Sequence, residues 1–492
     1  MSHPNLGAKV MAEFGRLAID KRRLPLSQLT KRGIPAYVAE WVLESVVPGQ
    51  GLLTQEEASK VQSWAARFIP APSEQNVTKH RILHGESIKA LTPMQVSVDL
   101  SRKKALQEYA ILSLLGINEA IISSSVAKEN TALLKQGMWG VVEIGQLNDG
   151  PAVLSFKPMQ ATVNLEMFKS SRNQFNLQEW RSLLLTSMGY QPDSFTDWQR
   201  TLLLCRLLPL VQKNMHLMEL APKGTGKSYI YENISTRVRL VSGGNVSPAV
   251  LFVNNATSQW GLLARFGVVV LDEVQTLKFS QPEEIVGGLK GYLANGKISR
   301  GGLSETSSDC GLVLLANITL DERQRPLNEI VVTELPEFLQ ETAFLDRMRG
   351  LIPGWELPKL SGRSLIGADS EEAIGLKSDF FGDALLALRE DLSADQFVMK
   401  KVRLAGENPY RRNEESVRAI ASGLMKLQFP HGEVSDQDFE EYCVKPAVKL
   451  RQLVWNQLYL LDGEYRQWEQ FIETIPLEPD AYNPEDFEPL PF

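Results

Sequence analysis

The sequence has little cysteine, no long apolar run and no excess of positive charge. Its three cysteines, Cys205, Cys310 and Cys443, are too few and too far apart for a disulfide framework or a zinc site. The first residues lack the continuous apolar core of a signal peptide. The most apolar stretches, 201–211 and 267–271, are much shorter than the ~20 residues that cross a bilayer. These absences predict a protein of the reducing cytoplasm without a membrane partner.

The charge and the length set broader bounds. The net charge of −7 argues against a surface that is basic throughout. It leaves nucleic-acid binding open, because a pore can be basic while the exterior is acidic. A chain of 492 residues predicts about three domains.

The pattern of apolar residues changes along the chain. Periodic apolar positions predict a helical N-terminal domain over 1–75. Short runs with period-two alternation predict a β-rich, barrel-like domain over 76–165. Strands alternating with helices predict an α/β core over 166–365, followed by a helical lid over 366–462. The proline-rich acidic tail over 463–492 is predicted to be disordered or a docking arm.

One glycine-rich motif carries the strongest functional signal. It consists of Ala221, Pro222, Lys223, Gly224, Thr225, Gly226, Lys227 and Ser228. The motif follows a strand-like HLMEL and precedes a helical SYIYENIS, which is the context that a phosphate-binding loop requires. Backbone N–H groups of such a loop surround phosphates. Lys227 is predicted to reach the β- and γ-phosphates of ATP, and Ser228 to ligate Mg²⁺. Ala221 replaces the usual first glycine, which costs little where φ is negative.

Two further strand ends carry polar residues. The apolar run GVVVLD ends in Asp272, which is predicted to hold Mg²⁺, and Glu273 follows, placed to polarise the attacking water. The run GLVLLAN ends in Asn317, which is predicted to hydrogen-bond the γ-phosphate or that water. Together the motifs predict a multidomain α/β protein. Its AAA+ P-loop ATPase core and α-helical lid are preceded by a helical and a β-rich domain.

Two arginines are candidates for the remaining ATPase roles. Arg347, in FLDRMR, follows Asn317 and is a candidate finger that enters a neighbouring subunit's site. Arg418, in NEESVRAI, is predicted to lie at the start of a helix of the lid and is a candidate sensor of the γ-phosphate. Exposed arginines are commonly only solvated, and that alternative stays open for both.

With these residues in place, the chain resembles the BrxL family, the Lon-like AAA+ component of BREX phage-resistance systems. Its ATPase module in turn is similar to that of MCM helicases. The segments that carry the resemblance are LTKRGIPAYVAEWVL, KQGMWGVVEIG, LAPKGTGKSYIYENIS, SGGNVSPAVLFVNNAT, GVVVLDEV, GYLANGKISRG, FLDRMRGLIPGW and SVRAIASGLMKLQFPHGEVSDQDFEEY.

The resemblance implies a homo-oligomeric ring, hexameric and possibly stacked in two layers, with duplex DNA and other phage-defence proteins as partners. It assigns the trans-acting finger to Arg347, although Met348 stands where MCM proteins have phenylalanine, and it assigns sensor 2 to Arg418. It makes GYLANGKISRG a hairpin that points into the pore, where Lys297 and Arg300 would meet DNA phosphates. The alternative is an exposed turn with two solvated cations.

The sequence leaves three functions open. A ring motor or clamp on DNA is favoured by Lys297 and Arg300. A protein unfoldase is the main alternative, because Tyr292 lies near the predicted hairpin and unfoldases grip polypeptide with aromatic pore loops. A signalling ATPase that scaffolds partners through the acidic tail is the third. Longer BrxL proteins end in a Lon-type protease domain, whereas no serine–lysine nucleophile segment follows the lid helices here, so proteolysis is not expected.

Overall fold

The structure is a computed structural model. It describes residues 6–99, 108–148, 150–159, 163–255, 259–299, 305–371, 373–404, 410–466 and 472–474. Arg300 and the acidic tail beyond residue 474 lie outside the described residues, so the predictions made for them have no structural account here.

Helices dominate the first part of the chain. They are α1 (Leu6–Phe14), α2 (Arg23–Ser27), α3 (Ala36–Val46), α4 (Gln55–Phe68) and α5 (Gln75–Leu83), with one short strand, β1 (Ala18–Asp20). The start of α4 shows why these residues form a helix. The Thr54 hydroxyl accepts the Glu57 N–H at 3.2 Å, and the Glu57 carboxylate accepts the Thr54 N–H at 2.9 Å. This capping box satisfies N–H groups that the first helical turn leaves unpaired.

A small closed barrel follows. Its strands are β2 (Ile88–Val98), β3 (Glu108–Leu112), β4 (Ile117–Ile121), β5 (Met138–Leu147) and β6 (Gly150–Pro158), in the order β2-β3-β4-β6-β5, with α6 (Ser124–Glu129) between β4 and β5. Alternate residues of the strands, among them Ala90, Met94 and Val96 of β2, fill its interior. The period-two pattern of a strand therefore decides which side chains enter the barrel.

Helices α7 (Leu165–Ser171), α8 (Leu177–Ser187), α9 (Asp197–Cys205) and α10 (Leu208–Val211) lead into the main sheet. The sheet contains β7 (Leu217–Ala221), β8 (Val238–Ser242), β12 (Val268–Asp272), β16 (Gly311–Asn317) and β17 (Gly350–Pro353). All are parallel, in the order β17-β7-β16-β12-β8. Strands β7, β12 and β16 carry or precede the predicted motifs, and β16 lies between β7 and β12.

Short elements fill the connections of the sheet. They are α11 (Tyr229–Asn233), β9 (Asn245–Val246), α12 (Pro248–Leu251), β10 (Val253–Asn254), β11 (Gln259–Trp260), α13 (Leu262–Arg265), β13 (Lys278–Phe279), α14 (Pro282–Asn295), β14 (Lys297–Ile298), β15 (Thr306–Ser307) and α15 (Thr342–Leu345). The strands themselves are buried on both faces. Val268 and Val270 of β12 face one core, while Val269 and Leu271 face the other. Continuous apolar runs are what parallel strands covered on both faces require.

The last part of the chain packs on this sheet. Its elements are β18 (Ile374–Leu376), α16 (Ser378–Glu390), α17 (Ser393–Lys401), β19 (Val402–Leu404), α18 (Arg411–Gln428), α19 (Asp436–Phe439), α20 (Lys445–Leu461) and β20 (Ile472–Thr474). β18 pairs with β1, and the buried Glu40 accepts both the Lys21 ammonium at 2.8 Å and the Ser378 N–H at 2.7 Å. The N-terminal helices are therefore tied to the start of α16. Among the described residues, no helix is long and apolar enough to cross a membrane.

Candidate nucleotide site

The predicted motifs meet at one edge of the sheet. Ala221 ends β7, Asp272 ends β12 and Asn317 ends β16. β16 lies between the other two strands, and Asn317 is in register with Ala221. Because neighbouring parallel strands end at the same edge, residues far apart in sequence come together there.

A chain of hydrogen bonds joins four of the predicted residues. Lys227 Nζ donates to Asn317 Oδ1 at 2.6 Å, and Asn317 Nδ2 lies 3.3 Å from Glu273 Oε1. The Glu273 N–H donates to Asp272 Oδ1 at 2.9 Å. The amide of Asn317 thus lies between the ammonium and the carboxylate, and both charged groups are held at the strand ends.

Glu273 has an unusual backbone. Its φ of 46° lies in the left-handed region, which costs a residue with a side chain about 1 kcal/mol. The Thr276 N–H and hydroxyl both donate to the Glu273 carbonyl, at 2.7 and 2.9 Å, and hold this turn. The chain therefore leaves β12 abruptly, while the Glu273 side chain stays within reach of Asn317.

The phosphate-binding loop has the backbone that its glycines permit. Gly224 and Gly226 have φ values of 88° and 69°. A Cβ on Gly226 would lie 2.3 Å from Leu360 Cδ1, so a side chain there would require Leu360 to move, and the positive φ would strain it. Leu360 also donates its N–H to the Gly224 carbonyl at 2.8 Å. Ala221 is part of β7, which explains why alanine is tolerated at the first position.

Charges accumulate beside the loop. The Lys227 side chain is buried, and this burial lowers its pKa, while nearby Glu219, Asp272 and Glu273 act in the opposite direction. Burial raises the pKa of Glu232, and the charge of Asp272 raises it further. A carboxylate and a hydroxyl, from Asp272 and Ser228, are hard oxygen ligands of the kind that Mg²⁺ prefers. The acidic surroundings of Asp272 therefore fit a divalent cation.

A cleft of about 480 Å³ opens beside these residues. Glu273, Asn317 and Lys223 line it, together with Lys359, an exposed cation for which no sequence motif gave a signal. Lys359 precedes Leu360, whose N–H holds the loop. The segment following β17 therefore contributes to the site through tertiary packing alone.

Arg347 lies elsewhere, after α15. Its guanidinium donates to the Ala343 carbonyl, and its Nε, although buried, has no hydrogen-bond partner in the described part of the chain. The backbone on both sides is held by the fully buried Arg451 of α20. Arg451 Nη1 donates to the carbonyls of Asp346 and Met348, at 3.0 and 2.7 Å. The position of Arg347 is therefore fixed, while part of its side chain still faces outward.

The sequence predicted Arg418 at the start of a helix. In the structure α18 begins at Arg411, and Arg418 lies in its interior. Its Nε donates to the Val402 carbonyl at 2.8 Å, and its Nη1 lies 2.7 Å from Glu414 Oε1. The contacts of Arg418 are thus with α18 and β19. Its role as a γ-phosphate sensor stays a prediction.

The described part of GYLANGKISRG, residues 291–299, contains the end of a helix, a turn and the first strand of a short ladder. α14 ends at Asn295, Gly296 has a φ of 70°, and Lys297 pairs with Ser307 in the antiparallel ladder of β14 and β15. Lys297 Nζ lies 3.4 Å from Glu305 Oε1.

Tyr292 does not offer an aromatic pore residue. Its side chain is buried, its hydroxyl donates to the Cys310 carbonyl at 2.5 Å, and its ring packs 5.6 Å from that of His216. The expectation that Tyr292 could grip polypeptide is therefore wrong. Tyr292 lies on the buried face of α14, which packs against the core of the sheet, and its place near the hairpin in sequence did not show this.

A parallel sheet with this strand order, a glycine-rich loop after one strand and paired carboxylates after another defines a multidomain α/β protein of the AAA+ type. Comparison with known proteins gives its family. Residues 152–471 match the description "Lon-like protease BrxL-like, ATPase domain", and residues 12–145 match "BREX system Lon protease-like protein BrxL N-terminal". The chain belongs to the BrxL family.

Two curated relatives, both called Lon-like protease BrxL, support this membership. The protein from Escherichia coli O9:H4 is 32% identical over 457 residues, which cover 90% of this chain and 63% of the relative. The protein from Bacillus cereus is 32% identical over 476 residues, covering 93% of this chain and 67% of the relative. The chain thus spans about two thirds of the length of these relatives.

Among solved structures, a full-length MCM homolog from Methanopyrus kandleri aligns with 92% of this chain and 99% of its own, at 14% identity and a TM-score of 0.37.

Proposed function

We propose that this chain hydrolyses ATP as one subunit of a homo-oligomeric ring that binds duplex DNA. One observation carries the ATPase part of the proposal. The hydrogen-bonded chain from Lys227 through Asn317 to Glu273 places a cation, an amide and a carboxylate at the mouth of the glycine-rich loop. ATP hydrolysis requires groups of these kinds. They come together from the carboxyl ends of β7, β12 and β16.

Each residue has a separate task in this proposal. Lys227 exchanges its bond with Asn317 for the β- and γ-phosphates when ATP binds. Asn317 then becomes free to orient the attacking water or the γ-phosphate. Glu273 accepts the proton of that water, for which its position beside Asn317 is suitable. Asp272 and Ser228 would hold Mg²⁺, which when bound neutralises charge on the phosphate oxygens.

The neighbouring subunit would complete the site. The backbone around Arg347 is held in place. Within the described residues its Nε has no hydrogen-bond partner, and its guanidinium donates to the Ala343 carbonyl. An arginine with these surroundings is suited to approach a γ-phosphate on another subunit. This arrangement favours a ring, in which every subunit supplies a finger to the next one.

DNA is proposed as the substrate of the pore because of the segment that carries Lys297 and Arg300. Lys297 begins a short antiparallel ladder and is partly exposed. Its ion pair with Glu305 is exposed and contributes little stability, so the Lys297 ammonium can exchange Glu305 for a phosphate at low cost. The alternative, a polypeptide unfoldase, loses its aromatic candidate because Tyr292 is buried.

The test of DNA binding is a salt titration of the variant Lys297→Ala with Arg300→Ala. Each phosphate contact that is lost should make the slope of log affinity against log salt shallower by about 0.9. A ring repeats the two substitutions in every subunit, so the change should reach several units. Affinity should fall equally for unrelated sequences, because phosphate contacts do not read bases. ATP turnover without DNA should remain.

Lys290→Ala is the matched control, since Lys290 lies on α14 and pairs with Glu341 at 2.6 Å. An unchanged affinity and slope in the double variant would remove this segment from the DNA path and make polypeptide the next substrate to test. Particle images with ATP and duplex DNA would show separately whether a ring forms and whether the pore is occupied.

A further inference from the structure

A fully buried arginine lies beneath the phosphate-binding loop. Arg206 directly follows α9, and its partner Glu219 lies on β7, close to the loop. Neither side chain is exposed. Nη2 of Arg206 lies 2.6 Å from Glu219 Oε1, and Nε lies 3.0 Å from Oε2. This is the bidentate pairing that an arginine forms with a carboxylate.

The remaining N–H groups of Arg206 reach the loop and a neighbouring tyrosine. Nη2 donates to the Thr225 carbonyl at 3.2 Å, and Nη1 donates to the Gly226 carbonyl at 3.3 Å. Nη1 also donates to the Tyr190 hydroxyl at 3.0 Å. All the N–H donors that a guanidinium possesses are therefore used. A lysine has fewer donors and a different geometry, so it cannot make the same set of bonds.

These bonds fix the direction of two peptide units. A peptide is planar and trans, so the carbonyl of one residue and the N–H of the next point in opposite directions. The carbonyls of Thr225 and Gly226 point toward Arg206. The N–H groups of Gly226 and Lys227 consequently point to the other side of the loop, which is where a loop of this kind receives phosphates.

We infer that Arg206, neutralised by Glu219, is a positioning residue that holds the Gly226 and Lys227 N–H groups toward the phosphates before the nucleotide arrives. The inference rests on the proposed ATPase function of the loop. Donors that are already oriented do not have to be ordered on binding, so their preorganisation increases nucleotide affinity. The side chain itself stays below the loop and touches no substrate.

A purely structural ion pair would behave differently when it is replaced. A buried pair can often be exchanged for apolar residues of similar volume without loss of stability. The double variant Arg206→Met with Glu219→Met therefore removes the bonds to the loop without leaving a buried charge. Arg206→Lys is the second variant, because it keeps a positive charge beside Glu219 but lacks the full set of donors.

The measurements are the Kd of a fluorescent N-methylanthraniloyl ATP analogue and the steady-state KM and kcat for ATP. Both variants should raise Kd and KM by about tenfold, while kcat at saturating ATP changes much less. This division is expected because the loop N–H groups bind the phosphates in the ground state as well as in the transition state. Thermal unfolding curves should show that both variants remain folded.

Arg181→Lys is the matched control. Arg181 is also fully buried, and its partners are Asp197 and Thr201, outside the loop. Its substitution should leave Kd and KM within about twofold of wild type. Wild-type affinity in both Arg206 variants would overturn the inference, and if the double variant does not fold, Arg206→Lys decides. Failure of the unsubstituted protein to bind the analogue would instead overturn the proposed function.

Discussion

Two buried arginines hold the backbone beside the two cations that we assign to ATP hydrolysis, and the surroundings of those cations differ. Arg206 binds carbonyls of the loop that carries Lys227. Arg451 binds the carbonyls on both sides of Arg347. Lys227, however, is buried and donates to Asn317 at 2.6 Å, whereas the buried Nε of Arg347 has no hydrogen-bond partner among the residues that the structure describes.

We propose that this difference reflects where the functional partner of each cation lies: in the same chain for Lys227 and on a neighbouring subunit for Arg347. Lys227 and the residues that it needs come from one chain, so its site is assembled when the chain folds. The backbone of Arg347 is also held, yet in the described part of the chain the hydrogen-bond acceptor of its guanidinium is the Ala343 carbonyl, one turn earlier. A side chain that is positioned but incompletely paired is expected to act on a neighbouring subunit. Three measurements test this comparison.

The largest effect is expected within the site of one chain. Glu273→Gln removes the proton acceptor next to Asn317 and should lower turnover by about a hundredfold or more, while nucleotide binding is retained. Lys227→Ala should instead lose nucleotide affinity, because it removes the charge that meets the β- and γ-phosphates. Equilibrium binding and steady-state turnover, measured on the same preparations, separate the two outcomes.

Glu283→Gln, an exposed acid in the first turn of α14, is the control for these substitutions and should behave as wild type. Normal turnover in Glu273→Gln would show that another group accepts the proton, and the assignment of Glu273 would be wrong.

The finger should give the next largest effect. Arg347→Ala should lower turnover by more than about tenfold without lowering ATP affinity comparably. Mixing Arg347→Ala subunits with Glu273→Gln subunits should restore activity above that of either variant alone. Some interfaces then combine the intact Glu273 of one subunit with the intact Arg347 of the next. Turnover measured across a series of mixing ratios checks this.

Arg411→Ala serves as the control, because Arg411 is exposed and pairs with Glu415 on the same helix. If the mixtures show only the average of the two variants, Arg347 does not act across an interface. If Arg347→Ala alone stays within a few-fold of wild type, the finger lies elsewhere, and Arg349 is the next residue to substitute.

The smallest effect is expected at His216, which connects the strand before the glycine-rich loop to the segment that carries Arg347. His216 precedes β7, its carbonyl accepts the Arg349 N–H at 2.8 Å, and its Nδ1 accepts the Leu312 N–H at 3.2 Å. Burial lowers the pKa of His216 well below its ordinary value, and the charges of Arg349 and Arg389 lower it further. Between the unfolded pKa of about 6.5 and that lower folded pKa, the unfolded chain binds the extra proton. Stability should therefore fall as the pH drops below about 6.5.

The measurement is the Tm of wild type and of His216→Asn at several pH values between neutral and mildly acidic. Asparagine keeps an acceptor for the Leu312 N–H but does not titrate, so the variant should lose less stability on acidification. The difference should reach at most about 1.4 kcal/mol per pH unit. Parallel curves for the two proteins would show that His216 does not contribute to acid sensitivity.

The individual motifs were readable because each is a local pattern. A glycine-rich run between an apolar strand and a helix predicted the loop, and apolar runs ending in Asp272 or Asn317 predicted two strands of the sheet. The strand β17 was not predicted, because its four residues begin with glycine and end in proline and so resemble a turn. Tyr292 was misjudged because its place near the predicted hairpin does not show whether its side chain faces the core or the pore.

The sequence by itself determined which residue types stand in the glycine-rich loop and at the ends of β12 and β16, and the proposed ATP chemistry follows from those residue types and their spacing. It also determined that β12 and β16 are buried, because continuous apolar runs are stable only when both faces are covered. Tertiary structure alone decided that Asn317 lies between Lys227 and Glu273, that Arg206 lies under the loop and that Arg451 holds the residues around Arg347. These contacts join residues separated by many positions, and strand order and packing, rather than any local pattern, bring them within hydrogen-bonding distance.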